Sequence, residues 1–425
     1  MDFVKDDQKR RGMVLEANAK KRGRKKDKKW IKPRHKVIRS LLWVFFKPYI
    51  RCKYGLKVEK FTGKEAGPYL ILLNHQTPFD QFFVSLSFKD PVYYLATEDI
   101  FSLGWVSSLI RYLVAPIPIK KQTTDVRAIL NCIKVSKEGG TIAIAPEGNR
   151  TYSGRTEYMS PAIVPLARKL GLPILLYRIE GGYGKEPRWA DKVRRGVMSA
   201  RVSEVIMPDE YMEMSDEELF GRIKNGLYVN EAQLDREYRH KKLAEYMERA
   251  IYVCHECGLS TFESHGDTME CKKCGRIVRY LPTKELRGEG FELPFRFVAD
   301  WYDYQASFMN NLNLLELVDE PMYCEEVSVC EVIPCVKKIK LCENAKLSLF
   351  GDRMEMEMNG EKMLLSHDET LAVTVLGRNK LNVYSGAKIY QIKGSKRFNA
   401  LKYVHVYHRY KNIKKGEESA CFLGL

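Results

Sequence analysis

The chain has 425 residues, of which 45% are hydrophobic and 29% charged, so wholesale disorder is excluded. This length allows roughly two to four domains. The net charge of +17 is uneven, because residues 1–40 hold 16 Lys/Arg and five Asp/Glu, a net of +11, and the remainder contributes only +6. No apolar run reaches the roughly 18 residues that cross a bilayer, and no signal-peptide pattern surrounds Leu41–Phe46. We therefore expect a cytoplasmic protein.

Residues 1–36 are predicted to form a basic, poorly ordered arm. Such an arm is either a solvated tail or a segment that contacts anionic lipid or nucleic acid. Residues 37–50 are apolar with interspersed basic side chains, and we expect an interfacial helix there. A helix packed on the folded domain is the alternative. The predicted membrane contacts are Leu41, Leu42, Trp43, Phe45 and Phe46. With the basic arm, they predict a peripheral protein on the anionic inner face of the cell membrane.

Between residues 69 and 180, short apolar runs alternate with segments of helical periodicity. The predicted strands are Tyr69–Leu73, Pro91–Ala96, Thr141–Ala145 and Pro173–Tyr177. The predicted helices are Asp125–Lys137, which ends at a Gly-Gly pair, and Pro161–Leu170, which ends at Gly171. Strands separated by helices predict an α/β domain with a mostly parallel sheet and flanking helices.

Polar residues follow the first of these strands in the motif Asn74-His75-x4-Asp80. The carboxyl end of a strand is where open α/β sheets usually bind ligands. Thr77 is a good helix N-cap and Pro78 suits the first helical position, so Asp80 could be no more than a capping carboxylate. With His75 in the turn and Asp80 in the first helical turn, the two side chains can also meet. Such a pair would make His75 a general base.

A second polar stretch, Pro146-Glu147-Gly148-Asn149-Arg150, follows another buried strand. Arg150 offers a planar fork of donors that suits a phosphate group. Glu147 could orient that arginine or bind a substrate hydroxyl, and Gly148 permits a tight turn. The simpler interpretation is a surface turn with a local ion pair.

Together, Asn-His-x4-Asp and, about 70 residues later, Pro-Glu-Gly-x-Arg resemble the glycerolipid acyltransferase family, above all its 1-acylglycerol-3-phosphate acyltransferases. The resemblance extends over roughly residues 35–205. It implies that His75 and Asp80 are the catalytic pair, and that the acceptor-binding residues are Asn74, Lys120, Glu147, Gly148 and Arg150. This chain departs from the family pattern at Lys120 (usually Arg), Asn149 (usually Thr) and Leu176 (usually Pro).

The resemblance implies acyl transfer from acyl-CoA or acyl-carrier protein to the free hydroxyl of lysophosphatidate, which gives phosphatidate at the membrane surface. His75 would take the hydroxyl proton, Asp80 would hold His75, and Arg150 would anchor the acceptor phosphate. No cofactor is expected for this step. The alternatives are another lysophospholipid or glycerol 3-phosphate as acceptor, or a non-catalytic protein that binds nucleic acid or another protein.

Four of the 11 cysteines form the pattern Cys254-x2-Cys257-x13-Cys271-x2-Cys274, and each pair precedes a glycine. This spacing resembles a zinc ribbon, and four thiolates favour a closed, structural zinc site. An iron–sulfur centre is the alternative. His255 and His265 are spare side chains, and the ribbon could contact a protein or nucleic acid. We expect the later cysteines Cys324, Cys330, Cys335 and Cys342 to be ordinary side chains.

The remaining sequence predicts a helical connector and a β-rich C-terminal domain. Residues 214–250 are charged and are expected to be helical, including Asp235–Arg249. Several short strands, a hairpin turn at Asn359-Gly360 and a last helix over Phe398–Tyr410 suggest a pleckstrin-homology-like arrangement. The predicted organisation is an arm (1–36), an acyltransferase domain with its interfacial helix (37–213), a connector (214–250), a zinc ribbon (251–282) and the β-rich domain (283–425).

Overall fold

The computed structural model describes residues 29–63, 67–97, 100–101, 104–119, 125–333, 337–417 and 423–424. Lys120, Cys335 and most of the predicted basic arm lie outside these ranges. The first helix, α1, runs over Pro33–Tyr54, so it is longer at both ends than the segment that the sequence predicts. It begins with a proline and ends at Gly55, which adopts a left-handed conformation with φ 56°. In the ranges described, no helix is long and apolar enough to cross a membrane.

A seven-stranded sheet follows this helix. Its strands are β1 Leu56–Val58, β2 Leu70–Leu73, β3 Val92–Thr97, β4 Ile117–Ile119, β5 Thr141–Ile144, β6 Ile174–Glu180 and β7 Met198–Ile206. They lie in the order β1-β7-β6-β2-β5-β3-β4, and every neighbouring pair is parallel except β6 and β7. The predicted α/β class is therefore confirmed, and each strand expected from its apolar run is present.

Helices cover both faces of the sheet. They are α2 Asp80–Ser87, α3 Trp105–Leu113, α4 Val126–Lys137, α5 Ile163–Leu170, the short α6 Gly182–Lys185, α7 Pro208–Glu213 and α8 Asp216–Leu227. Leu70 and Leu72 of β2 pack with α4, α5 and α8 on one face, whereas Ile71 and Leu73 pack with α1 and α2 on the other. Because β2 pairs in parallel with β5, the segments that follow both strands emerge at the same edge.

The connector after α8 differs from the sequence prediction. Asp235–Arg249 is not a helix, and apart from a single 3₁₀ turn at Met247–Arg249 it is irregular. Its backbone amides bond to distant carbonyls, with Tyr238 N donating to Pro282 O and Ala244 N to Gly266 O. These long-range bonds replace the i to i−4 ladder, because the segment packs between the first sheet and the cysteine-rich region.

The cysteine-rich region is built from short antiparallel strands. They are β8 Val253–Cys254, β9 Gly258–Leu259, β10 Phe262–His265, β11 Thr268–Cys271, β12 Ile277–Tyr280 and β13 Leu286–Gly288. The pair β8–β9 stands apart, and β10 to β13 form a four-stranded sheet in chain order. The first cysteine pair lies at the β8–β9 turn, and the second comprises Cys271 at the end of β11 and Cys274 in the turn that follows; the two pairs face each other.

Helix α9, Val298–Asn311, leads into a second seven-stranded sheet. Its strands are β14 Tyr323–Ile333, β15 Lys337–Leu349, β16 Arg353–Met358, β17 Glu361–Ser366, β18 Thr370–Leu376, β19 Lys380–Ser385 and β20 Lys388–Gly394. They lie antiparallel in the order β17-β16-β15-β14-β20-β19-β18, and helix α10, Leu401–Lys415, follows. Seven antiparallel strands and one closing helix confirm the predicted pleckstrin-homology-like class.

The predicted hairpin turn is present between β16 and β17. Met358 pairs with Glu361, so Asn359 and Gly360 form a two-residue loop, with φ of 53° and 83° respectively. Positive φ at both positions is the type I′ geometry that matches the twist of a hairpin.

One hydrophobic core joins the cysteine-rich region to the C-terminal domain. It includes Trp301 and Val253, continues to Leu347 and Tyr403, and also takes in Trp189 of the segment between α6 and β7. The C-terminal domain is therefore packed against the first sheet's own loops through shared apolar contacts.

Candidate active site

The two polar motifs meet at the edge where β2 and β5 end. His75 and Asp80 are in direct contact, with His75 Nδ1 2.7 Å from Asp80 Oδ2. The imidazole is partly exposed, at 27% of its side-chain surface, whereas the carboxylate is 1% exposed. Helix α2 begins at Asp80, two residues later than the cap at Thr77 predicts, so the carboxylate stands at the first helical residue.

The surroundings of Asp80 determine the tautomer of His75. Besides the imidazole, its oxygens accept hydrogen bonds from Gln76 N at 2.7 Å, Thr77 N at 2.9 Å and Thr77 Oγ1 at 2.7 Å. The oxygens of Asp80 act as acceptors in all of these bonds, so His75 Nδ1 is the donor to the carboxylate. The other ring nitrogen, Nε2, is then an acceptor at the cavity, which is the state a general base requires.

Asn74 differs from its expected role in binding substrate. Its side chain is fully buried, donates from Nδ2 to Ile179 O at 2.8 Å and accepts from Ile179 N at 2.7 Å. Both polar groups are thus engaged with the backbone of β6. These two hydrogen bonds hold the end of β2 beside β6. They therefore also position the start of the turn that carries His75.

Glu147 also contacts different groups from those expected. Its Oε1 accepts from His75 N at 2.8 Å and its Oε2 from Glu157 N at 3.3 Å. Burial raises the pKa of this carboxyl to about 8, against the two backbone hydrogen bonds that lower it. Glu147 therefore positions the His75 backbone and makes no ion pair with Arg150 among the described residues. Gly148, by contrast, lines the cavity with φ 69°.

Arg150 lines the cavity and is poorly satisfied within the protein. Its Nη2 donates to Glu186 O over a long 3.3 Å, and its buried Nε has no hydrogen-bond partner among the residues that the structure describes. Burial lowers the pKa of Arg150 to about 10, Glu186 raises it, and the neighbouring Arg188 lowers it. A cation with so weak a protein partner is suited to an anionic ligand.

A cavity of about 650 Å³ contains the His75–Asp80 pair. Towards α1 and β3 its walls are largely apolar and include Leu42, Phe46, Phe82, Leu86, Leu95 and Ile110. Towards the loop after β5 they include Gly148, Asn149, Arg150 and Arg188. The imidazole thus lies where an apolar space adjoins a cationic one, an arrangement that suits an amphipathic ligand.

The predicted membrane residues divide between two sides of α1. Leu41 and Phe45 are exposed, at 55% and 72%, and lie in one stripe with Val37, Val44 and Tyr49. Leu42, Trp43 and Phe46 instead line the cavity, with Phe46 stacked on Phe82. Helix α3 adds a second exposed apolar face with Trp105, Leu109 and Tyr112. The cavity lies between two helices that both present apolar side chains to the outside.

The four predicted cysteine ligands are brought together, and all pairs of their sulfur atoms lie within 4.8 Å. Four sulfurs bound tetrahedrally to one zinc ion at about 2.3 Å would be about 3.8 Å apart. The sulfur atoms of Cys254 and Cys274 are 3.8 Å apart, and those of Cys257 and Cys271 are 3.6 Å apart. The donor set therefore fits a tetrahedral metal ion. His255 and His265 are outside this cluster, and they contact Arg276 and Glu263 respectively.

Residues 56–179 match the model of the Acyltransferase family. Over 132 residues the chain is 28% identical to a 1-acyl-sn-glycerol-3-phosphate acyltransferase of Borreliella burgdorferi, a match that covers 29% of this chain and 52% of that protein. The chain thus spans about half the length of this curated relative.

A solved structure is also similar to this chain, that of the 1-acyl-sn-glycerophosphate acyltransferase PlsC from Thermotoga maritima. The identity is 24% and the TM-score 0.39, with 45% of this chain and 78% of that chain covered. The match of residues 56–179 to the Acyltransferase family model agrees with the family resemblance that the two motifs indicate.

Three residues beside this cavity have no motif that could have identified them. Arg188 lines the cavity, and Glu186 accepts from Arg150 through its carbonyl and from Tyr54 Oη through its carboxylate. Glu186 and Arg188 lie in a loop after α6, and Tyr54 is the last residue of α1; no strand-end pattern marks any of them. Only the fold brings that loop to the edge where β2 and β5 end.

Proposed function

We propose that this protein transfers a fatty acyl group from a thioester donor to the free hydroxyl of lysophosphatidate and thereby forms phosphatidate. The observation that carries the proposal is the hydrogen-bonded His75–Asp80 pair at the junction between an apolar space and the guanidinium of Arg150. A lysophosphatidate molecule has parts that match these three features: its acyl chain suits the apolar space, its hydroxyl suits His75 and its phosphate suits Arg150.

In the proposed reaction, His75 Nε2 accepts the hydroxyl proton as the acceptor oxygen attacks the thioester carbonyl. The C–O bond forms, the C–S bond breaks, and the proton passes from the imidazolium to the departing thiolate. Asp80 stabilises the imidazolium because its carboxylate is 2.7 Å from Nδ1. Arg150 holds the phosphate and so aligns the hydroxyl with His75.

Both acyl-CoA and acyl-carrier protein are proposed donors. The apolar walls near Phe46 and Leu95 would receive acyl chains, which keeps them out of water. Lys120, which lies outside the described residues, stays a proposed second contact to the acceptor.

We also propose that the protein works on an anionic membrane surface on the cytoplasmic side. The exposed apolar stripe on α1, which includes Leu41 and Phe45, would enter the interface beside the basic residues that precede it. The wall between the membrane and the cavity would be formed by Leu42, Trp43 and Phe46, on the inner side of α1.

For the cysteine cluster we propose a structural zinc ion bound by Cys254, Cys257, Cys271 and Cys274. The backbone amides of Glu256 and Cys257 hydrogen-bond the sulfur of Cys254, and those of Lys273 and Cys274 bond that of Cys271. Such bonds support thiolates, and four thiolates leave no open position for catalysis.

The experiment combines purified protein with lysophosphatidate in mixed vesicles and offers acyl-CoA or acyl-carrier protein in separate reactions. Mass spectrometry follows phosphatidate, with lysophosphatidylglycerol and glycerol 3-phosphate as parallel acceptors. We expect phosphatidate from at least one donor. A folded protein that acylates only one of the other acceptors would refute the choice of lysophosphatidate. A folded protein that acylates none would refute acyl transfer and favour a binding role.

A further inference from the structure

The polar end of the cavity is not built by the acyltransferase domain alone. Val375, at the end of β18, and Gly377, in the β18–β19 turn, line the same cavity as His75 and Arg150. These two residues belong to the C-terminal domain and follow Arg150 by more than 220 positions in the chain. The C-terminal domain therefore supplies part of the wall where the phosphate of an acceptor would lie.

An ion pair attaches the β18–β19 turn to the loop after α6. Arg378 Nη2 donates to Glu186 Oε1 at 2.7 Å, and the other carboxylate oxygen of Glu186 accepts from Tyr54 Oη. The carbonyl of Glu186 accepts from Arg150 Nη2. A single residue, Glu186, thus connects Arg378 of the C-terminal domain with Arg150 of the catalytic motif.

Arg188 lies between these two parts and is a buried cation without a carboxylate partner. Its residue surface is only 4% exposed, and its guanidinium lies 4.3 Å from the centre of the Tyr152 ring. It donates to Arg150 O at 2.9 Å and, over longer distances of 3.4 and 3.5 Å, to Asn149 Oδ1 and Val375 O. Within the described ranges, no carboxylate is within 4.0 Å of either Arg188 or Arg150.

The charges at this end therefore do not cancel. Glu186 is paired with Arg378, so the guanidinium groups of Arg150 and Arg188 remain as two cations that line one cavity. A buried charge without a partner is costly, and that cost is relieved when a ligand brings the opposite charge. A phosphomonoester carries a charge between −1.5 and −2 at about pH 7, whereas a phosphodiester carries about −1.

We propose that Arg188 is a second phosphate-binding residue beside Arg150, that the C-terminal domain holds it in place, and that the acceptor is a dianionic phosphomonoester. The inference rests on the proposed acyl transfer, and it adds a preference for acceptors whose phosphate is a dianionic monoester. In a lysophospholipid with a substituted phosphate, the phosphate carries one negative charge, which would balance only one of the two guanidinium groups. They also extend towards the wall that Val375 and Gly377 form.

The test measures steady-state acyl transfer by the full chain with Arg188→Gln and Arg188→Lys. Arg168→Gln is the matched control, because Arg168 is a half-buried arginine with several hydrogen bonds that does not line the cavity. We expect Arg188→Gln to raise the KM for lysophosphatidate about tenfold or more, with the KM for the thioester donor within about twofold. It should lower the preference for lysophosphatidate over lysophosphatidylglycerol by a similar factor. Arg188→Lys should restore part of both.

A positioning variant tests the part played by the C-terminal domain. Arg378→Gln should raise the KM for lysophosphatidate severalfold with little change in kcat, and Arg378→Lys should recover part of the loss. Lys388→Gln is its control, since Lys388 begins β20 and pairs with Ser385, at the end of β19 that is remote from this turn. An unchanged KM for lysophosphatidate and an unchanged preference in Arg188→Gln would overturn the proposal.

Failure of the proposed reaction is distinguishable from failure of this inference. If the wild-type protein acylates no lysophospholipid, equilibrium binding of lysophosphatidate in vesicles is measured for wild type and Arg188→Gln. Weaker binding by the variant alone, at unchanged thermal stability, would still support Arg188 as a phosphate ligand. Equal binding by both proteins would overturn it.

Discussion

The substitution Asp80→Asn removes the charge beside His75 while keeping the size of the side chain. The amide nitrogen cannot accept a hydrogen bond, yet Asp80 accepts from His75, Gln76 and both donors of Thr77. If the amide oxygen faces His75, the imidazole keeps its tautomer but the imidazolium loses its counter-ion. If the amide nitrogen faces it, the imidazole takes the other tautomer and Nε2 can no longer act as a base.

The rate loss can be sized from the contact distance. With Nδ1 and Oδ2 2.7 Å apart, the centres of charge are close to 4 Å apart. Two unit charges at that separation interact by about 4 kcal/mol at an effective dielectric constant near 20. Since about 1.4 kcal/mol corresponds to a factor of ten, we expect kcat to fall about 1000-fold.

The assay is acyl transfer to lysophosphatidate at saturating donor, with thermal unfolding measured in parallel. Asp90→Asn is the control, because Asp90 is 71% exposed and pairs with the equally exposed Lys36, so the substitution should leave both quantities unchanged. A folded Asp80→Asn protein that keeps more than about a tenth of the wild-type kcat would refute the assigned role of the carboxylate.

Three further predictions concern the metal, pH and the membrane. Cys271→Ser should release most of the zinc and lower the melting temperature, whereas Cys324→Ser, at an exposed cysteine, should change neither; elemental analysis and calorimetry measure these. Because burial raises the pKa of Glu147 to about 8, the folded state favours its protonated form, and stability should fall as pH rises from about 5 to about 8 by up to about 4 kcal/mol. Urea titrations should find this slope reduced in Glu147→Gln, and equal slopes would contradict the assignment. Phe45→Ser should weaken binding to anionic vesicles about tenfold or more in a sedimentation assay, whereas Leu371→Ser, equally exposed on the C-terminal domain, should not.

The sequence predicted the strands of the first sheet well, because β2 and β5 are fully buried and read as uninterrupted apolar runs. The turn at Asn359-Gly360 was predictable for a different reason, since few residues other than these adopt two consecutive positive φ angles. The cysteine cluster followed from spacing alone. The apolar runs, the turn dipeptide and the cysteine spacing each involve residues that are close together in the chain, and the structure contains the feature that each predicts.

The predictions that failed depend on partners far away in the chain. Asp235–Arg249 has the charge pattern of a helix, but its amides bond to residues such as Pro282 and Gly266. Strand β14, Tyr323–Ile333, was not predicted, because glutamates interrupt its apolar residues. Its pairing with β15 and β20 places only alternate side chains in the core, and the exposed ones remain charged.

The candidate site was predicted in part for the same reason. The contact between His75 and Asp80 could be expected from five residues of separation, and Arg150 from a strand-end motif. Asn74 and Glu147 were expected to face substrate, although both instead bond to the protein backbone. Nothing in the sequence marks Arg188, since the residues that it contacts are far from it in the chain: Arg150 and Asn149 in the loop after β5, and Val375 almost 190 residues later.

The most direct test of the account is the kcat of His75→Ala with lysophosphatidate, compared with wild type under identical vesicle and donor concentrations. We expect a fall of about 100-fold to 10,000-fold, because a positioned general base contributes that much to proton transfer. Circular dichroism and zinc content should match those of wild type, since the imidazole is partly exposed and His75 is not a member of the cysteine cluster. A folded His75→Ala protein that turns over at the wild-type rate would contradict the central claim that His75 is the base.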